Sequence, residues 1–273
     1  MQLSSGLMNR LKWKQALLVN GIPRYTNYRV VPGDVITVLL DEPAPDYPAQ
    51  DGPLDIIYED DDILVADKPA GMLIHPSHAQ FSGTLANYVA GYFRRTGQNC
   101  AFHPITRLDR DTFGLVLLAK NAFIHHAFDE LHTQNRFHKV YHAVVYGCPP
   151  KPEGLIDAPI ARCPLPSLLR EIRSDGKPSR TRYKVLQQYD GCTKLSLELL
   201  TGRTHQLRLH CAHIGCPILG DPQYGSTESR EFSLRFHLKS QLLCAHELFF
   251  PHPVTGEPIH LFSHLDAELP DFL

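Results

Sequence analysis

Apolar residues in this 273-residue chain fall in short runs, and most of the runs alternate with polar positions. Alternation at every second residue turns one face of a strand toward a core. Residues 137–146, FHKVYHAVVY, follow that pattern. So do TRYKVLQQY and TKLSLELL, which flank Asp190-Gly191, a dipeptide suited to the left-handed angles of a tight hairpin. Residues 114–119 are short and continuously apolar, as expected for a strand buried on both faces. Residues 63–66 and 72–74 predict two more strands around the turn Lys68-Pro69-Ala70-Gly71, and a last pair brackets HPVTGEP, residues 252–258. Helical spacing appears twice. Asn121 caps a segment whose Phe123, Ile124, Ala127, Phe128 and Leu131 share a face, and Thr204 precedes Leu207, Cys211 and Ile214, with Gly215 and Pro217 as stops. Many strands with few helices between them predict an α+β fold on a largely antiparallel sheet.

Residues 11–40 read as the end of a basic helix followed by short strands, with turns at Asn20-Gly21 and Gly33-Asp34. Residues 41–53, DEPAPDYPAQDGP, carry prolines and acids without periodicity, the mark of a semi-rigid linker, so a boundary is expected near residue 50. Composition adds three constraints. A hydrophobic content of 43% sustains a real core, and 27 basic against 29 acidic residues create no global field, so a polyanion would have to be held by a local patch. The absence of a long apolar run and of a basic-then-apolar leader predicts a cytoplasmic protein without membrane contact, a monomer by default. Seven cysteines at irregular spacings, with no Cys-x-x-Cys, fit reduced thiols.

Candidate chemistry concentrates in three segments. In ITRLDRDTFGLVLLAKN, residues 105–121, Arg107, Asp109, Arg110 and Asp111 crowd ahead of the aliphatic run. A carboxylate in a loop feeding a buried strand is rigidly held yet able to face a cleft, and Asp109 is the candidate. Arg107 and Arg110 would keep it ionised and hold phosphates, although a surface ion-pair cluster accounts for the same charges. In LLTGRTHQLRLHCAHIG, residues 199–215, Arg208 lies one step around from the Leu207 stripe, at the edge of the core, where it could meet a carboxylate from another strand or simply be solvated. His205, His210, His213, Cys211 and Cys216 raise a zinc reading, which spacing disfavours because His205 and His210 do not share a helix face. Tyr141 alternates with Ala143 and Val145, so it is a core tyrosine unless a neighbouring carboxylate makes its ring a stacking surface for a base. Seven bases, Arg162, Arg170, Arg173, Lys177, Arg180, Arg182 and Lys184, oppose only Glu171 and Asp175, a local excess suited to phosphates.

These segments carry a resemblance. ITRLDRDTFGLVLLAKN is similar to the signature of the RluA-type pseudouridine synthases, which isomerise uridine in ribosomal and transfer RNA. DIIYEDDDILVADKPAGMLIHPS resembles the family's opening strands, KVYHAVVYG its tyrosine strand, GKPSRTRYKV its central strand, LLTGRTHQLRLHCAHIGCPILGDPQYG its arginine motif, and LLCAHELFFPHPVTGEPIHLFSHLDAELPDF its closing hairpin. Their order is the family's. The resemblance implies an α+β fold on a largely antiparallel mixed sheet with flanking helices and a central cleft, spanning residues 51–273. It implies Asp109 as the catalytic aspartate, Tyr141 as the active-site tyrosine and Arg208 as the arginine that pairs with the aspartate. Arg107, Arg110, Lys177, Arg180 and Arg203 are then the expected RNA contacts. The partner is RNA, of the 23S ribosomal or the transfer class, and no metal or cofactor is expected, because the reaction only moves the ribose C1′ bond from base N1 to base C5. Residues 16–38, ALLVNGIPRYTNYRVVPGDVITV, are similar to the latter part of an S4-type RNA-binding module, so residues 1–50 are expected to form a partial module of that kind with its linker, offering Lys12 and Lys14. Two positions depart from the family pattern: Thr106 stands where His is usual and Phe113 where Ser is usual, and both are expected to reshape the RNA-facing rim. A non-catalytic RNA-binding protein on the same fold and a zinc hydrolase are the rival readings.

Overall fold

The computed structural model describes residues 9, 11–39, 45–167 and 169–268. Backbone at 11–13 is helical, and β1 (Leu17–Val19), β2 (Ile22–Pro23) and β3 (Ile36–Val38) form a small antiparallel sheet of order β2-β1-β3. The remaining chain runs β4 (Asp55–Glu59), β5 (Ile63–Lys68), α1 (Leu85–Thr96), β6 (His103–Pro104), β7 (Phe113–Ala119), α2 (Ala122–Thr133), β8 (His138–Tyr146), β9 (Glu153–Asp157), β10 (Ile160–Arg162), β11 (Arg170–Ile172), β12 (Arg180–Tyr189), β13 (Cys192–Leu199), α3 (Gln206–His213), α4 (Thr227–Arg235), β14 (Leu243–Pro251) and β15 (Pro258–Phe262). Ten of these strands make one sheet, ordered β4-β5-β7-β14-β8-β13-β12-β9, with β6 beside β7 and β15 beside β14. Pairing among them is antiparallel except between β7 and β14, which run parallel at the centre. The sheet is thus mixed but largely antiparallel, as the alternating runs predict. No helix among the described residues is long and apolar enough to cross a membrane.

Local chemistry explains the elements. β7 is buried at every position, and the β12–β13 hairpin closes at Asp190-Gly191 with Tyr189 opposite Cys192 and Gly191 at φ 78°. Asn121 caps α2 by accepting the Ile124 N–H at 2.9 Å. Three features depart from expectation. Residues 72–74 are not a strand: the carbonyls of Leu73 and Ile74 accept the otherwise unpaired N–H groups of Leu85 and Ala86 at the start of α1, 2.9 and 3.0 Å away. Helix α3 begins after His205, which occupies the N-cap position in the left-handed region, rather than after Thr204. Helices α1 and α4 were not foreseen. Thr84, Leu85, Val89, Phe93 and Gly97 do mark α1 by cap, spacing and stop, whereas α4 buries Ser229 and Ser233 and so lacks an apolar stripe.

The two faces of the sheet are distinct. On one, Leu64, Ala66, Val116 and Leu118 pack under α1, while Tyr141, Ala143, Val145, Leu195 and Leu197 pack under α3. Leu108 inserts into both of these cores, seating the loop between β6 and β7 over the middle of the sheet. The opposite face holds Phe113, Val144 and Cys244 on one half and Ile63, Leu117 and Phe128 on the other. Phe113 therefore points away from the Leu108 loop, and it does not shape a rim there.

Gly114 allows β7 and β14 to close. Its φ is 104°, and a Cβ would lie 2.4 Å from the Ala245 carbonyl oxygen. Gly114→Ala is expected to destabilise the fold by about 2 kcal/mol or more, read as a lower urea midpoint at unchanged m-value.

Candidate active site

The loop ahead of β7 is fastened from three sides. Ile105 and Thr106 donate their backbone N–H groups to the Leu117 carbonyl, and Thr106 Oγ1 accepts the Leu117 N–H at 2.9 Å. Lys68, fully buried at the end of β5, donates from Nζ to the carbonyls of Pro69, Met72 and Arg110 at 3.0, 3.0 and 2.9 Å. Burial lowers its pKa to about 8, opposed by the charges of Asp111 and Asp109. The Thr112 N–H bonds back to the Asp109 carbonyl and closes the turn. Asp109 is consequently held by backbone on both sides while its side chain remains 28% exposed.

The arginine comes from the other half of the same sheet face. Arg208, on α3 and 5% exposed, donates from Nη1 to Asp109 Oδ2 at 3.1 Å. Its other edge grips Asp221: Nε reaches Oδ2 at 2.7 Å and Nη2 reaches Oδ1 at 2.8 Å, and Nη2 also reaches Gln223 Oε1 at 2.9 Å. Asp221 Oδ1 further accepts the backbone N–H groups of Gln223 and Tyr224. Burial opposes the charge on Asp221, but the hydrogen bonds and charge of Arg208, with those two N–H groups, outweigh it and hold the carboxyl below its usual range. Burial likewise opposes the charge on Arg208, and Asp221, then Asp109, raise its pKa regardless. The guanidinium also lies over the Tyr224 ring, 5.0 Å from its centroid.

Tyr141 on β8 lines the same cleft and is 6% exposed; burial first, then the Asp109 charge, push its phenol up, so it stays protonated at neutral pH. Two residues back on the same face, Lys139 also lines the cleft, with burial lowering its pKa to about 8. The cleft encloses about 940 Å³. Arg107, Arg162, Arg170, Arg173, Lys177 and Arg203 line it together with Asp175, which pairs with Arg173, so the lining around Asp109 has an excess of cations in a chain whose formal net charge is −2.

The expected site residues divide accordingly. Asp109, Tyr141 and Arg208 come together, and Arg107, Lys177 and Arg203 lie at the cleft with them. Arg110 turns aside, its Nε on the Gly71 carbonyl at 3.2 Å, and is not among the lining residues. Arg180, with Arg182 and Lys184, is exposed on β12 opposite the buried Thr181 and Tyr183, because a strand alternates. The basic run thus splits between two faces. Lys12 and Lys14 are exposed in the N-terminal segment and do not line the cleft. Thr106 serves as a loop anchor, which leaves its hydroxyl committed to β7. Asp221, Gln223, Tyr224, Lys68 and Lys139 are not marked by the sequence, and His205 is marked only through the disfavoured zinc reading. Nothing in the spacing of GDPQYG ties Asp221 to Arg208, and Lys68 reads in sequence as an ordinary turn lysine. Of the histidines that raised a zinc reading, His210 uses both ring nitrogens, on Thr181 Oγ1 and the Ala158 carbonyl.

Asp221→Asn leaves the buried guanidinium with one carboxylate and is expected to cost about 3 kcal/mol or more of stability. Because the folded pKa of Asp221 is depressed, its stabilisation is present above the ordinary carboxylate pKa and lost as pH falls through the lowered value, so the variant should show a shallower acid limb in stability against pH than the parent. Urea midpoints from pH 7 down to pH 2 check this.

Comparison with known proteins agrees with the geometry. The family model described as RNA pseudouridylate synthase matches residues 62–213. Ribosomal large subunit pseudouridine synthase D of Haemophilus influenzae is 34% identical over 97% of this chain and 85% of its own length. The protein of the same description from Xanthomonas campestris is 40% identical over 81% of this chain and 68% of its own. An uncharacterized RNA pseudouridine synthase of Bacillus subtilis is 36% identical over 94% of this chain and 84% of its own. Among solved structures, human RNA pseudouridylate synthase domain containing 1 superposes with a TM-score of 0.63 at 28% identity, covering 79% of this chain and 84% of that one. The chain belongs to the RluA-type RNA pseudouridine synthase family, enzymes that isomerise uridine in RNA to pseudouridine.

Proposed function

We propose that Asp109 carries the reaction at the sugar, with Arg208 and Tyr141 as its partners, and that the substrate is ribosomal RNA. The observation that supports the assignment most is the 3.1 Å bond from Arg208 Nη1 to Asp109 Oδ2 at the floor of a cation-lined cleft. Arg208 takes Oδ2 and leaves Oδ1 open to the cleft. Oδ1 then acts as nucleophile at C1′ or as the base that removes the C2′ proton; either use frees the base from the sugar. The base must first leave its stack, at a cost of a few kcal/mol. Tyr141, kept protonated, offers its ring as a stacking surface rather than a phenolate base. Arg107, exposed at the rim, fills the gap in the helix with its planar guanidinium. Lys177, Arg203 and Arg162 hold backbone phosphates across the cleft.

The names of the Haemophilus and Xanthomonas relatives favour large-subunit ribosomal RNA. Residues 1–50 add a second RNA contact in this reading, through the S4-like segment, where Arg24 stacks over Tyr28 at 4.9 Å.

RNA carrying tritium at uridine C5 should release label to water with the parent protein, and Asp109→Asn should release none; label release by the variant would refute the assignment. Arg107→Ala should slow turnover on duplex-embedded uridine more than on an unstructured oligonucleotide, and equal losses would remove the stack-filling role. Mapping pseudouridines in ribosomal RNA from cells lacking the gene identifies the target.

A further inference from the structure

We propose that His205 is a further catalytic residue: a neutral imidazole whose Nε2–H donates to O2 of the target uracil as the bond from C1′ to N1 breaks. This rests on the reading of Asp109 above and adds a group to it. The argument begins at Tyr224. The backbone N–H of Arg170 donates to Tyr224 Oη at 3.1 Å, and in the proposed arrangement the phenol, with that acceptor position filled, donates its own hydrogen to His205 Nδ1, 2.8 Å away. A neutral imidazole that accepts at Nδ1 carries its hydrogen on Nε2. That nitrogen stands 3.8 Å from Asp109 Oδ1, the carboxylate oxygen that Arg208 leaves open, and His205 lines the cleft.

The surroundings keep the ring neutral. Burial lowers its pKa, with Arg208 and Arg170 adding to the effect and Asp109 and Asp221 opposing it. The backbone is unusual as well: His205 has φ 58°, a region that a β-carbon disfavours and that asparagine or glycine enters more readily. A simple cap would not need an imidazole there, since His205 makes no side-chain capping bond.

The chemistry calls for such a donor. Whichever way Asp109 acts, the electron pair of the C1′–N1 bond departs on the base and spreads over N1, O2 and O4. The C1′–C5 bond then forms, C5 gives up its proton to water, the path by which the tritium label is released, and N1 takes one up from water. His205 keeps its proton throughout and contributes a hydrogen bond to the developing anion. O2, on the ring carbon next to N1, is the nearer of the two charge-bearing oxygens to the sugar that Oδ1 approaches, and a donor beside Oδ1 lies within its reach.

Two replacements separate this role from a structural one. His205→Asn tolerates the left-handed backbone, but its amide ends near the position of Nδ1, whereas His205→Gln carries an N–H to about the position of Nε2. In the tritium assay on structured RNA, His205→Asn should lower kcat by about 100-fold with KM changed less than about threefold, and His205→Gln should recover about tenfold of the loss. Protonating the ring would turn it toward Asp109 Oδ1 as a cation and remove that oxygen from reaction, so the parent should lose kcat in acid. That limb should vanish in His205→Gln. It should move to higher pH in Tyr224→Phe, which removes a hydroxyl that donates to the neutral ring. Equal activities of the Asn and Gln variants, at the parent level or both inactive, would overturn the proposal, as would an effect confined to KM. Asp109→Asn run alongside keeps the two readings apart: label release by that variant refutes the Asp109 assignment whatever His205 does.

Discussion

A buried guanidinium is the constraint on which the site depends. Taking the Arg208 charge out of water costs several kcal/mol unless its donors are met, and they are met by two carboxylates and an amide. The two carboxylates are unequal. Asp221, 1% exposed, takes the bidentate edge and compensates the cation, while Asp109 receives a single bond and stays 28% exposed. One positive charge between two negative ones leaves an excess of one, and it resides on the carboxylate that faces the cleft. Orientation and residual charge thus come from the same arrangement.

That arrangement needs the sheet beneath it. Asp109 and Arg208 are 99 residues apart, and they meet because Leu108 seats its loop in the cores under α1 and α3 at once. The parallel contact between β7 and β14 brings those two halves together, and Gly114 permits its closeness. Lys68 then ties the loop to the turn after β5 through three carbonyls, a use of a buried ammonium that is wholly structural. In the role proposed for Asp109 that rigidity matters, since a carboxylate misplaced by about 1 Å loses much of its effect on a bound nucleotide.

Electrostatics follow the same division of labour. A chain with slightly more acids than bases concentrates cations at one cleft, where Arg162, Arg170, Lys177 and Arg203 project from β10, β11 and the loops beside α3. Their neighbours on β12, Arg180, Arg182 and Lys184, face the other way by strand alternation. A run that looks continuous in one dimension is therefore two surfaces, and only one of them surrounds Asp109.

Short-range physics made much of this protein legible from sequence alone. The alternation of β8 placed Tyr141 on the core face, Asp190-Gly191 placed a hairpin, and the charged stretch ahead of β7 marked Asp109, because each depends on residues only a few positions apart. The family was legible for a related reason: its motifs are contiguous words. Tertiary structure alone decided who meets whom. The Asp221 clasp on Arg208, the burial of Lys68, the turning aside of Arg110 and the line from Arg170 through Tyr224 to His205 all join segments that local pattern leaves independent. Such pairings are set by sheet order and by the need to satisfy buried donors, and those conditions exist only once the distant strands have come together.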